Sequence, residues 1–233
     1  MGAVDLVLLS GLMCDDAVWR DITPALVGTR SVTPLCFADF SSIESMARHV
    51  LTSAPASFFL AGHSMGGRVA LEVYRAAADR VRGIALLNTG VHPRRDTEIE
   101  GRLRLVELAR TRGMAAVADE WLPPMMGDLP SRTDQVMPGL RAMVGRSTPQ
   151  SLAAQTQALL DRPDATPVLA TIRVPALLLS GEADRWSPVA QHRDMQARIP
   201  GSVLVAIEHA GHMAPVEQPA AVAAALNAWL ARR

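Results

Sequence analysis

The sequence predicts an α/β protein: a mostly parallel open sheet of about six strands with helices on both faces and an inserted helical cap. Short apolar, β-prone runs alternate with longer amphipathic stretches, as in repeated strand-crossover-strand units. The runs show no apolar-polar alternation, so both faces of the sheet are meant to be covered. After the fourth run, residues 88–173 carry helical patterning broken by prolines and no strong strand signal, which is too long for a bare loop.

Strands are expected at 4–9 (VDLVLL), 31–37 (SVTPLCF), 57–61 (SFFLA), 83–87 (GIALL), 174–179 (VPALLL) and 203–207 (VLVAI). Helices are expected at 16–27, 42–53, 65–78, 188–198 and 217–231. Ser41 or Ser42 would cap the second of these, with Glu44 or Ser45 in its first turn. In the long intervening stretch, RLRLVELARTRG, MAAVADEWL, MPGLRAMVGR and SLAAQTQALLD are separated by Pro123, Pro124, Pro130 and Pro149, which punctuate a set of short helices. The expected organisation is therefore a core domain of 1–91 and 166–233, with 92–165 inserted as a helical cap.

Composition narrows the possible functions. The 233 residues are 49% apolar and 20% charged, which suits a globular chain with a sizeable core rather than a disordered one. The formal net charge is zero, lysine is absent, and the arginines are scattered apart from the pair Arg94 and Arg95. Nucleic acid is a poor partner for such a surface, because phosphate binding needs a basic stripe. The opening MGAVDLVLLSG lacks the basic region and apolar length of a secretory leader, and nowhere do about 18 uninterrupted apolar residues occur. A cytoplasmic protein without membrane insertion is expected. Cys14 and Cys36 form neither a CxxC pair nor a metal-type spacing, and no HExxH occurs, so neither a disulfide framework, a metal nor a cofactor is expected.

Chemistry enters at residues 58–70, FFLAGHSMGGRVA. Here G-x-S-x-G sits where a strand turns sharply into a helix, a place that strains the central residue and lifts Ser64 Oγ above the sheet. The pentapeptide alone is equally consistent with Ser64 as a plain helix cap. A phosphate-binding loop is excluded because Arg68 and Val69, not Lys and Ser or Thr, follow Gly67, and the dinucleotide spacing G-x-G-x-x-G is absent. Two later strand ends supply the partners a nucleophile needs. VPALLLS is followed by Gly181, Glu182, Ala183 and Asp184, and VLVAI by Glu208, His209, Ala210, Gly211 and His212. A carboxylate and an imidazole thus arrive at the carboxyl edge of the sheet, where ligands bind in open α/β folds.

Taken together, AGHSMGG, GEADRWSP and AGHMAPVEQP resemble the nucleophile elbow, acid loop and histidine loop of the α/β-hydrolase superfamily, in its order Ser, Asp, His. The resemblance covers nearly the whole chain. It implies Ser64 as nucleophile, His212 as general base and then acid, and Asp184 as the orienting carboxylate, with His209 and Glu182 as the rivals for the last two roles. It also implies an oxyanion hole formed by the backbone N–H groups of Met65 and Leu12. His49, His63, His92 and His192 are read as structural or solvated. The sequence departs from the family in two places: Ser10-Gly11 stands where His-Gly is common, and the first two strands of many relatives are missing.

The resemblance implies cleavage of a carboxylic ester through an acyl-Ser64 intermediate, without a cofactor. Thioesters, lactones and carbon-carbon bonds are alternatives for the same triad, and a ligand sensor that has lost turnover is an alternative of another class. The substrate is expected to be a small acyl compound of apolar character. Met13, Met65, Met114, Trp121, Met125, Met126, Met143, Trp186 and Met213 are candidates to line its pocket, since thioethers and indoles fit irregular apolar shapes. Arg94, Arg95, Arg141 and Arg146 are read as solvated surface rather than contacts for an acidic substrate.

Overall fold

The computed structural model describes residues 3–232. Its strands are β1 (Val4–Leu9), β2 (Thr29–Leu35), β3 (Phe58–His63), β4 (Val81–Leu87), β5 (Ala176–Gly181) and β6 (Val203–Ile207). They form one sheet in the order β2-β1-β3-β4-β5-β6, and each neighbouring pair is parallel. β3 and β5 are buried along their whole length, whereas the edge strands β2 and β6 are only partly covered. The strand centres were thus legible in the sequence. The edge strand β2 starts earlier than expected because Arg30 and Ser31 both bond the Asp5 carboxylate of β1 and pin it alongside.

Helices α1 (Ile43–Ser53) and α2 (Met65–Ala77) follow β2 and β3 and pack on each other. α1 buries Ile43, Met46, Ala47 and Val50, one stripe at helical spacing, and the Ser42 hydroxyl caps it by accepting the Ser45 N–H at 3.1 Å. Residues 16–27 do not form the expected helix. They form two short 3-10 turns, Asp16–Trp19 and Thr23–Ala25, because Asp15 caps the first and Pro24 has no N–H to continue a ladder.

Between β4 and β5 lies the inserted helical segment: α3 (Ile99–Trp121), α4 (Pro130–Gly145) and α5 (Pro149–Leu160), then the short α6 (Thr166–Leu169) leading back to the sheet. α3 packs against both α4 and α5 and breaks at Gly113, whose φ of 81° is open to glycine and leaves the helical range. The chain ends with α7 (Val189–Gln196) after β5, and α8 (Ala214–Glu217) and α9 (Pro219–Leu230) after β6. α9 is the helix expected at 217–231, starting two residues later because Pro219 drives Gln218 out of the helical region, to φ −134° and ψ 58°. No helix among the described residues is long and apolar enough to cross a membrane.

Candidate active site

The turn between β3 and α2 holds Ser64 at φ 55° and ψ −117°, outside the ordinary regions for a residue with a side chain. Its neighbours make that position possible. A Cβ on Gly66 would lie 2.2 Å from the Leu9 carbonyl oxygen, so only glycine lets α2 start this close to β1. The Thr89 hydroxyl, at the end of β4, donates to the Ser64 carbonyl at 2.6 Å, and the Ser64 N–H donates to Leu87 at 2.9 Å. The strained turn is thus held from the adjacent strand.

Ser64, His212 and Asp184 lie in one hydrogen-bonded line. Ser64 Oγ is 2.8 Å from His212 Nε2, and His212 Nδ1 is 2.9 Å from Asp184 Oδ2. Because a carboxylate only accepts, Nδ1 carries the proton and Nε2 is left to accept from the serine. Burial opposes charge on Asp184, but the His212 imidazole, the Asn88 amide and the Ser187 N–H outweigh it and hold the carboxyl well below its usual range. Asp184 Oδ1 also accepts the N–H groups of Trp186 and Ser187, at 2.8 and 3.0 Å.

The rival residues lie elsewhere. His209 is exposed, with Nδ1 3.2 Å from Asp128, and Glu182 is exposed at the surface. His49 packs on Phe40, and His192 Nε2 accepts the Thr89 N–H at 3.3 Å. His63 is buried, and its Nε2–H donates to the His212 carbonyl at 2.8 Å. Burial, and next the His212 imidazole, pull the His63 pKa down to about 4 from 6.5. The unfolded chain therefore takes up this proton first as pH falls, so the contribution is full above pH 6.5 and is lost on the way down to pH 4. At pH 5 the loss is about 2 kcal/mol relative to pH 7. Urea unfolding at both pH values checks this: His63→Gln is expected to be less acid-sensitive than the unaltered protein by about that amount.

Ser64 opens on a cavity of about 490 Å³ between the sheet edge and the inserted helices. Leu12 and Met65 border it, as do Trp121, Met125 and Trp186. Gly11 brings the Leu12 loop against Ser64, for a Cβ there would lie 3.2 Å from that of Ser64. The Trp186 ring lies 5.7 Å from the His212 imidazole and meets Trp121 edge-on. Met13 and Met213 point into the core instead, 3% and 1% exposed, and do not border the cavity; neither do Met114, Met126 and Met143.

The lining of the cavity is also rich in arginine. Arg68, Arg95, Arg102, Arg104 and Arg185 border the cavity with Glu98 and Glu120 as the acidic residues. Glu98 pairs with Arg102 and with the buried Arg162, and Glu120 pairs with Arg104. Arg68 has no ion pair among the described residues; its Nη1 donates to the His92 carbonyl at 2.9 Å. Burial, then the repulsion of Arg162, pulls the Arg68 pKa down to about 9, which leaves it charged at neutral pH. Sequence reading passed over Arg68, Asn88, Thr89 and Gln155. Arg68 lies one helical turn beyond Ser64, and Asn88 and Thr89 lie at the carboxyl end of a strand, so position alone could have flagged these three. Gln155 sits on α5 and carried no such signal.

A serine on a strained strand-to-helix turn, in line with an imidazole and a buried carboxylate at the carboxyl edge of a parallel sheet, defines the α/β-hydrolase type of enzyme. The chain belongs to the alpha/beta hydrolase family, whose model it matches over residues 6–225. It is 28% identical to the 2-succinyl-6-hydroxy-2,4-cyclohexadiene-1-carboxylate synthase of Salmonella agona, over 95% of this chain and 91% of that protein. Among solved structures it is similar to a thermophilic esterase from Thermogutta terrifontis with malate bound (TM-score 0.87, 29% identity, 100% of this chain and 91% of that one). It is likewise similar to the enol-lactonase from Burkholderia xenovorans LB400 (TM-score 0.88, 26% identity, 100% and 93%).

Proposed function

We propose that the protein is a serine-dependent enzyme that opens a lactone, or a related small acyl compound, bearing a carboxylate. The observation that carries this reading is the line from Ser64 Oγ to His212 and Asp184, 2.8 and 2.9 Å, facing a cavity bordered by Arg68, Arg95, Arg102, Arg104 and Arg185. Ser64 attacks the acyl carbon as His212 Nε2 takes its proton, and the N–H groups of Met65 and Leu12 receive the developing oxyanion. Asp184 holds the imidazole and stabilises its charged form. His212 then passes the proton to the departing alkoxide, which in a lactone stays tethered to the acyl group. Water, deprotonated by His212, releases Ser64. The residues 92–165 serve as the cap that closes the cavity.

The likeness to the enol-lactonase supports the bond, and the arginine-rich lining supports the charge. The synthase relative and the unpaired Arg68 favour an anionic acyl compound over the plain apolar ester expected from the sequence. Hydrolysis of an open-chain ester is the second reading, favoured by the likeness to the Thermogutta esterase.

The test is a comparison of kcat/KM across enol-lactones, open esters and acyl thioesters, each with and without a carboxylate. The carboxylate-bearing lactones are expected to lead; turnover of none of the panel would overturn the reading. Arg68→Met is expected to lower kcat/KM about 10- to 100-fold for p-nitrophenyl hemisuccinate, and less than about twofold for p-nitrophenyl butyrate, as loss of a charged hydrogen bond implies. An equal loss on both esters would count against the anionic class.

A further inference from the structure

Leu12 lies in a turn, Gly11 to Cys14, closed by the Cys14 N–H donating to the Gly11 carbonyl at 3.2 Å. The third residue of that turn, Met13, takes φ 55°, a value that favours glycine or asparagine. Something must hold the central Leu12–Met13 peptide in this orientation, since a flip would return Met13 to ordinary φ. The holder comes from the insertion, 142 residues away: the Met13 N–H donates to Gln155 Oε1 at 2.9 Å. The other end of the same amide, Nε2, donates to the Phe37 carbonyl just beyond β2 at 2.8 Å. Gln155 is 2% exposed and stands on α5, which also lines the cavity through Leu152, Thr156 and Leu159.

One side chain therefore clamps the oxyanion loop, the end of an edge strand and the inserted helix together. Each end of its amide thus has a protein partner. We propose that Gln155 is a positioning residue that fixes the Leu12–Met13 peptide and, through the Gly11–Cys14 turn closed around it, the preceding Gly11–Leu12 peptide that carries the Leu12 N–H, so that the oxyanion hole is conditional on the docking of α5. The inference rests on Leu12 N–H acting as an oxyanion donor in the proposed function. Gln155 touches no reacting atom; it acts through the backbone of the loop. When α5 is docked the hole is formed, and when α5 lifts away the Met13 N–H loses its acceptor and the strained turn relaxes.

Gln155→Leu, close in volume but without the amide, tests this on the full-length protein. It is expected to lower kcat about 10- to 100-fold with KM within about twofold, less than the ~10²- to 10³-fold effect of deleting an oxyanion donor outright. Inhibition by a trifluoromethyl ketone, whose adduct on Ser64 carries the oxyanion, is expected to weaken by the same factor. A packing role would disturb KM or stability without that parallel loss. Adding Met13→Gly to Gln155→Leu should restore part of kcat, because glycine takes positive φ without strain.

A folded Gln155→Leu protein with unchanged kcat and inhibitor affinity overturns the proposal. If in that case Ser64→Ala is inactive, the catalytic reading stands and only the role of Gln155 falls. An active Ser64→Ala protein instead removes the reading on which the role of Gln155 rests. Hydrogen exchange on the unaltered protein supplies a test that needs no variant. The Met13 amide is expected to exchange together with the amides of α5, through one shared opening, and exchange orders of magnitude faster than α5 would sink the coupling.

Discussion

Ser64→Ala is expected to lower turnover by roughly 10⁴- to 10⁶-fold while the protein keeps its fold. Among the described residues the Ser64 hydroxyl bonds only to His212 Nε2, so removing it deletes the proposed attacking atom and no structural hydrogen bond besides. The backbone bonds that hold the turn, from Thr89 to the Ser64 carbonyl and from the Ser64 N–H to Leu87, survive the change. Thermal unfolding should therefore be nearly unchanged. A fluorophosphonate should label the unaltered protein on the peptide containing Ser64 and leave the variant unlabelled. Retained turnover, or labelling at another serine, would remove Ser64 from the mechanism.

Asp184→Asn is expected to be the second most damaging change, about 10⁴-fold in kcat. The four hydrogen bonds that Asp184 accepts come from N–H groups: His212 and Asn88 on one oxygen, Trp186 and Ser187 on the other. An amide brings an NH₂ of its own into that set, and whichever way it turns, two donors meet. If the NH₂ faces His212, Nδ1 must accept, the proton moves to Nε2, and the imidazole can no longer take the serine proton. Turnover should fall with little change in KM, because Asp184 is buried behind the imidazole, its side chain 0% exposed. A loss confined to KM would show that Asp184 organises the pocket rather than the base.

The sequence revealed most where physical chemistry leaves few choices. The strand centres were readable because β3 and β5 are buried on both faces and so are apolar through their central residues. The elbow, acid and histidine loops were readable because sharp turns and reacting groups fix residue type at fixed spacing. What escaped notice depends on contacts between distant parts of the chain. Nothing near Gln155 in the sequence signals that its amide meets Met13 and Phe37. The arginines read as surface are exposed, and Arg94, Arg141 and Arg146 pair with carboxylates. Of the four considered, Arg95 borders the cavity, but the arginine without an ion pair at the elbow is Arg68, which had served only to exclude a phosphate loop. The expected helix at 16–27 failed for a local reason, because its apolar spacing was sound but Pro24 removed a donor the ladder needed.

The histidine loop has its own tie to the inserted segment. The His212 N–H donates to the Met125 carbonyl at 2.7 Å, and the buried Glu217 carboxylate accepts from Gly211 and Gly127 at 2.9 and 2.6 Å. A Cβ on Gly211 would lie 2.3 Å from the Met125 carbonyl, so this seam admits no larger residue without a shift. The insertion and the sheet are therefore not interchangeable modules. A chimera that borrowed a different insertion to change selectivity would have to bring a backbone acceptor and donor at the positions of Met125 and Gly127, or the His212 N–H would lose its acceptor and the Glu217 carboxylate one of its donors. Substitutions in the helices that border the cavity leave this seam intact, whereas changes in the short stretch that touches His212 do not.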